Sequence, residues 1–212
     1  MDITKVSSIL AQHLQNPGPQ HLAAADRVIE YLVRTRTLAI LYDGILIERL
    51  STYSDASFAD NKDRKSSDGH LFMLYGGPID WKASKQRTVT TSTTEAELLA
   101  LAEASKQAIL WHRILKDIGY SQPESPILCD NSQTLRLLTQ DTPQLSTRLR
   151  HVDIHHHWLR QETQEGRISM EWCPTAKMKA DGLTKVLTGQ RFERFIEQLG
   201  LEDVQDRLTE SA

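Results

Sequence analysis

The chain predicts an α/β fold: a mixed five-stranded sheet with helices on both faces, preceded by two amphipathic helices. Three observations lead there. Strand-like segments follow one another between residues 45 and 81, separated by polar and Gly-rich breaks, as in an antiparallel meander. Helical and strand periodicities alternate from residue 94 onward, which adds strands through helical crossovers. Ahead of both lie two segments with apolar residues at helical spacing. The 212 residues suffice for one domain with a real core.

Each element has its own justification. Residues 3–15 place Ile3, Val6, Leu10 and Leu14 on one helical stripe, and Asn16-Pro-Gly-Pro19 breaks the chain. A second helix carries Leu22, Ala25, Ile29 and Leu32 and ends near Thr35. Residues 37–42 read as a strand, Asp43-Gly44 as a tight hairpin turn, and residues 45–53 as the returning strand. The polar run 59–69 reads as a loop or wide hairpin. Residues 70–75 are apolar on both faces, as a central covered strand requires. Gly76-Gly-Pro78 turns the chain back into a strand at 79–81. Thr94 is expected to cap a long helix to Gly119, with Glu97 as its capping-box partner. A short buried strand at 126–129 precedes a short helix at 132–138 and a longer one at 148–164. Pro174 stops a last strand at 168–173. Two helices close the chain, one after Lys179 and one at 190–199, and the charged residues after Leu201 are expected to fray.

Composition narrows the function classes. A quarter of the residues are charged and the apolar fraction is ordinary, which is globular and not disordered. No apolar run approaches the ~20 residues of a membrane span, and the N-terminus lacks the pure apolar run of a signal peptide. Two cysteines far apart make no disulfide framework and fit a reducing, intracellular compartment. The net charge of −3 weighs against a nucleic-acid partner unless a local basic patch and bound cations offset it.

Four acidic residues sit at the ends of separate elements: Asp55, Glu97, Asp130 and Asp181. Each has a plain structural explanation. An Asp after a strand is a common turn former, a Glu in a first helical turn caps, and an Asp opening a helix is favoured by its dipole. Placed together, four such carboxylates can converge and hold a pair of Mg²⁺ ions, with Mn²⁺ as an alternative. Glu95 competes with Glu97 but lies out of the apolar register, which makes it a hydrogen-bonding neighbour.

The segments around these acids are collinear: Tyr-Ser-Asp-Ala-Ser at 53–57, Asp-Arg-Lys-Ser-Ser-Asp-Gly at 63–69, Gly-Gly-Pro-Ile-Asp-Trp at 76–81, Ser-Thr-Thr-Glu-Ala-Glu at 92–97, Cys-Asp-Asn at 129–131, Arg-His-Val-Asp-Ile at 150–154 and Ala-Asp-Gly-Leu-Thr-Lys at 180–185. Together they resemble the ribonuclease H domain of copia-type LTR retrotransposon polyproteins. Asp2-Ile3 and residues 21–31 resemble, more loosely, the tail of the reverse transcriptase that precedes it.

The resemblance implies a ribonuclease H-like mixed five-stranded sheet and a division into residues 1–44 as the reverse-transcriptase tail, 45–187 as the ribonuclease H domain and 188–212 as a C-terminal helix and tail. It implies that Asp55, Glu97, Asp130 and Asp181 are catalytic metal ligands in an Mg²⁺-dependent endonuclease cutting the RNA strand of an RNA–DNA hybrid. The setting would be reverse transcription in a virus-like particle or the nucleus, with the rest of the polyprotein as a partner and no membrane. One departure stands out: the loop 174–180 lacks the histidine that cellular and retroviral relatives carry there.

Around the acids, Ser92, Thr93, Thr94 and Asn131 are candidates for contacting ribose 2′-hydroxyls, which distinguish RNA from DNA. Lys82, Lys85, Arg87, Arg148 and Arg150 are candidates for phosphate contacts, with solvated loop charge as the plain alternative. In His-Val-Asp-Ile-His-His-His at 151–157, His151 and His155 have a zinc-ligand spacing but no third ligand, so a helix face with Asp153 paired to His157 is preferred. The rival functions are a domesticated module that binds nucleic acid or protein without cutting, and a related polynucleotidyl transferase such as an integrase core, whose acidic set differs.

Overall fold

The structure, a computed structural model, describes residues 1–42, 49–121, 126–139, 147 and 149–210. The hairpin turn expected at Asp43-Gly44 and the side chain of Arg148 lie outside these residues. Two helices open the chain, α1 (Thr4–Ala11) and α2 (Pro19–Arg34), followed by β1 (Leu38–Ile40). The body comprises β2 (Ser51–Ser57), β3 (Ser67–Leu74), β4 (Gly77–Lys85), α3 (Thr93–Asp117), β5 (Pro126–Cys129), α4 (Ser132–Thr139), α5 (Arg150–Gln164) and β6 (Ser169–Trp172). A 3₁₀ turn (Thr175–Lys177) leads to α6 (Asp181–Thr184), α7 (Gln190–Gln198), β7 (Leu201–Asp203) and α8 (Gln205–Glu210).

Five strands form one mixed sheet in the order β4-β3-β2-β5-β6. The first three in sequence are antiparallel, and β5 and β6 run parallel to β2. This is the predicted α/β architecture, a mixed five-stranded sheet with helices on both faces. Strand β3 sits inside the sheet and is buried on both sides: Phe72 and Leu74 join the core under α3 and α5, while Leu71 and Met73 join the core under α6 and α7. The period of two thus feeds two separate cores. On α3, Ala96 and Ala100 meet Ala56 of β2 in a cluster of small side chains. Their size lets the first turns of α3 lie close to the end of β2.

Several expectations are corrected. Strand β1 does not pair with β2. It forms a separate antiparallel ribbon with β7, with Ile40 opposite Leu201 and Leu38 opposite Asp203. The residues after Leu201 are therefore ordered by strand pairing and do not fray there, and the Val204 N–H also donates to the Thr37 carbonyl at 2.9 Å. Strand β3 begins at Ser67, inside the segment read as loop, and β4 extends from Gly77 through Lys85. The turn between them is Tyr75-Gly76, both at positive φ (53° and 78°), a form suited to a two-residue hairpin.

The N-terminal helices pack otherwise than their stripes suggest. In α1 the buried residue is Lys5, whose Nζ donates to Ser67 Oγ at 2.7 Å and approaches Asp60 at 3.3 Å. Leu14 is exposed. In α2 the stripe of Leu22, Ile29 and Leu32 faces solvent, and Val33 is exposed beside it. The opposite side turns inward, where the Tyr31 hydroxyl donates to Asp2 at 2.5 Å and its ring meets the edge of Phe192. Periodicity shows that a helix has two faces, and packing decides which one is covered.

Candidate active site at the ends of β2 and β5

Asp55 lies in β2 and is fully buried. Glu97 projects from the second turn of α3 and is as buried, and Asp130 follows β5. One carboxylate oxygen from each lies within 4.8 Å of those of the other two. The three come from parallel neighbours β2 and β5 and from the helix that the Ala56–Ala96–Ala100 contact holds against β2.

The surrounding residues fix these acids in place. Gly69 stands opposite Asp55 in the β2–β3 pair. A Cβ there would come within 2.8 Å of Leu183 Cβ and 3.1 Å of Thr184 Cγ2. Its absence lets α6 settle onto the sheet, where the Thr184 hydroxyl donates to Asp55 Oδ2. Gly182 acts likewise in the next layer out, since a Cβ there would strike the Phe195 ring at 2.6 Å. Thr175 donates to Asp130 Oδ2 at 2.8 Å, and the Trp172 indole donates to the Asp130 backbone carbonyl at 3.2 Å.

Asp181 is not one of the three converging acids. Its Oδ1 accepts from Lys185, one helical turn on, whose Nζ also lies 3.7 Å from Asp55 Oδ2. The ammonium thus sits between Asp181 and Asp55 and ties the fourth acid to the flank of the cluster.

The electrostatics follow from burial and crowding. Burial pushes the Asp55 carboxyl up to about 6, with Asp130 and Asp181 adding to the rise and Lys185 and Thr184 opposing it. Burial, then the neighbouring Asp55 and Asp130, push Glu97 well above the usual carboxylate range. For Lys185, burial works against the charged form, but Asp55 and Asp181 outweigh it and hold the amine above its ordinary value. Glu97 Oε2 is buried with no hydrogen-bond partner among the described residues. A buried acceptor left unsatisfied in an acidic cluster fits a hard divalent cation. Cys129 is fully buried, and burial pushes its thiol up, as suits a core residue.

The helix cap differs from expectation. Ser92, not Thr94, is the N-cap: its Oγ accepts from the Glu95 N–H at 3.2 Å. The residue that reaches back is Glu95, accepting from Thr91 N at 2.6 Å and Thr91 Oγ1 at 2.7 Å, while Thr147 Oγ1 donates to its other oxygen at 2.6 Å. Glu97 is thereby free of any capping duty.

The other candidates scatter. Thr93, Asn131 and Lys185 line an open groove with the three acids. The Asn131 side-chain oxygen is already engaged, accepting from the Gln133 and Thr134 N–H groups as the cap of α4. Thr94 Oγ1 lies 3.5 Å from Gln133 on the same rim. Lys85 pairs with Asp63 at 2.9 Å in a neighbouring groove that also reaches Lys185. Lys82 is on the edge strand β4, bonded to Glu103 at 2.9 Å. Arg87 is exposed in the segment before α3, and Arg150 is exposed at the start of α5. His151 Nε2 lies 3.0 Å from Thr88 Oγ1, and Asp153 meets His157 at 3.6 Å.

Reading the sequence missed Thr184, Lys185 and Thr175. Lys185 was legible, since it follows Asp181 at the four-residue spacing that pairs charges on a helix. The Thr175–Asp130 bond spans 45 residues and had no local signal.

No protein-family model matches the chain. It is 33% identical over 201 residues, 94% of its length, to the retrovirus-related Pol polyprotein from transposon TNT 1-94 of Nicotiana tabacum, and spans 15% of that polyprotein. It is 39% identical over 109 residues, 51% of its length, to secreted RxLR effector protein 161 of Plasmopara viticola, covering 77% of that protein. Among solved structures, LC11-RNase H1 in complex with RNA/DNA hybrid aligns with 64% of this chain and 93% of its own at a TM-score of 0.49 and 14% identity.

Proposed function

This chain is a member of the copia-type retrotransposon Pol lineage over most of its length, and on that premise we propose that it is a divalent-metal-dependent ribonuclease H that hydrolyses the RNA strand of an RNA–DNA hybrid. One observation carries the reading: Asp55, Glu97 and Asp130 converge within 4.8 Å with a buried, unpartnered Glu97 oxygen among them. Crowded carboxylates, with the proton affinity of Asp55 and Glu97 raised, are a poor resting arrangement unless a cation joins them.

Asp55, Glu97 and Asp130 would hold the metal, with Asp181 at the flank of Asp55. A bound pair of Mg²⁺ ions supplies an activated water and charge neutralisation for phosphodiester hydrolysis. The chain's own residues do the rest. Thr184 and Thr175 orient Asp55 and Asp130 by donating to one oxygen of each. Lys185 balances Asp55 and Asp181 and borders the groove where a phosphate would lie. Thr93 and Asn131 present polar edges on the same groove, suited to the sugar of an RNA strand. The residues that line the groove with the acids include no histidine, so Lys185 is the proton-bearing cation beside the cluster. In this reading the chain works as part of a longer polyprotein during reverse transcription.

The second reading, a module that binds without cutting, is favoured by the likeness to a protein that is named as an effector and not as a polyprotein. One assay separates the two: purified protein, Mg²⁺ and labelled RNA–DNA hybrid, with duplex DNA and duplex RNA as controls. Cleavage confined to the RNA strand of the hybrid supports the nuclease. Hybrid binding without cleavage supports the module.

A further inference from the structure

We propose that Asp153, His156 and His157 of α5 form a second metal site, separate from the carboxylate cluster and suited to a transition-metal ion such as Zn²⁺. The spacing is local. Residues 0, 3 and 4 along a helix lie on one side of it, so a carboxylate and two imidazoles are presented together. One ligand atom from each lies within 4.8 Å of the others, and Asp153 Oδ1 is 3.6 Å from His157 Nε2.

The second observation concerns His156, which is only 3% exposed. Its Nε2 lies 3.2 Å from the Leu137 backbone carbonyl. A carbonyl only accepts, so Nε2 carries the proton and Nδ1 carries the lone pair. That Nδ1 is buried and has no hydrogen-bond partner among the described residues. Metal-binding histidines commonly donate their other ring N–H to a backbone carbonyl, which fixes both tautomer and ring orientation. Leu137 performs that service here, and Arg160 Nη1 holds the same carbonyl at 2.9 Å. An Asp153–His157 ion pair alone, on an exposed helix face, accounts for neither the orientation nor the unsatisfied nitrogen of His156.

The donor set names the class of ion. Two imidazole nitrogens and one carboxylate suit Zn²⁺, Co²⁺, Ni²⁺ or Cu²⁺, whereas Mg²⁺ selects oxygen ligands. Three protein ligands leave a fourth tetrahedral position for water or an outside group. The carboxylate cluster and this site therefore draw on different ions. The inference does not depend on the nuclease reading.

The test uses the metal-stripped full chain, titrated with Co²⁺ and followed by its visible absorption, and with Zn²⁺ by calorimetry in excess Mg²⁺. The expected result is one equivalent of tight binding that persists in Asp130→Asn. It should weaken about 10-fold or more in His157→Ala and in Asp153→Asn, an exposed and a half-exposed position whose change does not open the core. The stacked His13–His21 pair, 3.8 Å between ring centres, supplies the control. Binding that survives His157→Ala and Asp153→Asn, or that is lost in His13→Ala, overturns the assignment. So does the absence of any binding in excess Mg²⁺.

Discussion

The first two turns of α3 hold two glutamates in opposite states. Glu95 and Glu97 are two residues apart and equally buried, at 2% and 3% exposure. Burial pushes Glu95 up, but Thr147 and Thr91 surround it with donors and hold its carboxyl below the ordinary value. Burial, and then Asp55 and Asp130, drive the Glu97 carboxyl up, and one of its oxygens has no hydrogen-bond partner among the described residues. Solvent exposure alone does not separate them: Glu97 is enclosed more deeply by protein, and it lacks the donors that surround Glu95. A buried charge that is saturated with hydrogen bonds is structural. One with an oxygen left unpartnered among other acids is, under the proposed function, a place for a cation.

The strongest way to break this contrast is cleavage itself. Asp130→Asn and Glu97→Gln should each lower Mg²⁺-dependent hybrid cleavage by on the order of 10²–10³-fold or more, the scale of losing a major stabiliser of transition-state charge. Hybrid binding should survive in both. Glu95→Gln should leave cleavage within about tenfold, since it touches the cap and not the cluster. Gel-based cleavage rates on the three variants decide the matter, and a Glu95→Gln loss as deep as that of Glu97→Gln would erase the distinction.

Acidity sharpens the same contrast without chemistry. The Asp55 carboxyl rises from 3.8 unfolded to about 6 folded, so the folded state binds the proton more tightly. Its stabilising contribution is full below pH 3.8 and is lost as pH rises through about 6, amounting to on the order of 3 kcal/mol. Glu97 shifts in the same direction. In chelator, the protein should therefore lose stability between about pH 4 and 7 relative to Asp55→Asn, and added Mg²⁺ at about pH 7 should restore it. Denaturant titrations across that range measure this. Equal slopes for the two proteins would mean that Asp55 is not the group responsible. Glu95 has the opposite sign: its contribution is present above its unfolded value and is lost in acid.

Smaller is the stability cost of Glu95→Gln, about 1–3 kcal/mol, because Thr91 and Thr147 lose a charged acceptor in a buried place. Thermal melts in saturating Mg²⁺ read it, and an unchanged melting temperature would contradict the capping role. Least is Lys185→Ala. Its side chain is 41% exposed, so solvent screens its pairing with Asp181 and Asp55 and the loss should be about 1 kcal/mol or less. The metal-free protein should soften while the gain in stability on adding Mg²⁺ grows. A gain that shrinks instead would show that Lys185 supports the ion and does not merely stand in for its charge.

The choice of Glu97 over Glu95 leaned also on the family resemblance, and Asp181 stands beside the three acids and not among them. The sequence by itself placed most strands and helices of the body and set the acids at the ends of their elements. Each of these is a local property: an alternation, a periodicity, a position at an element's end. Ser92, Thr93 and Thr94 are all able caps, and only the extended backbone of Ser92, at φ −148° and ψ 160°, selects one. The tertiary structure alone decided the pairing of β1 with β7, about 160 residues apart in sequence, because two three-residue strands carry too little pattern to name a partner. It likewise turned the Leu22–Ile29–Leu32 face of α2 outward, and it set Lys185 between Asp181 and Asp55. Those outcomes depend on which surfaces and charges meet, and a chain read one residue after another holds its periodicities but not its meetings.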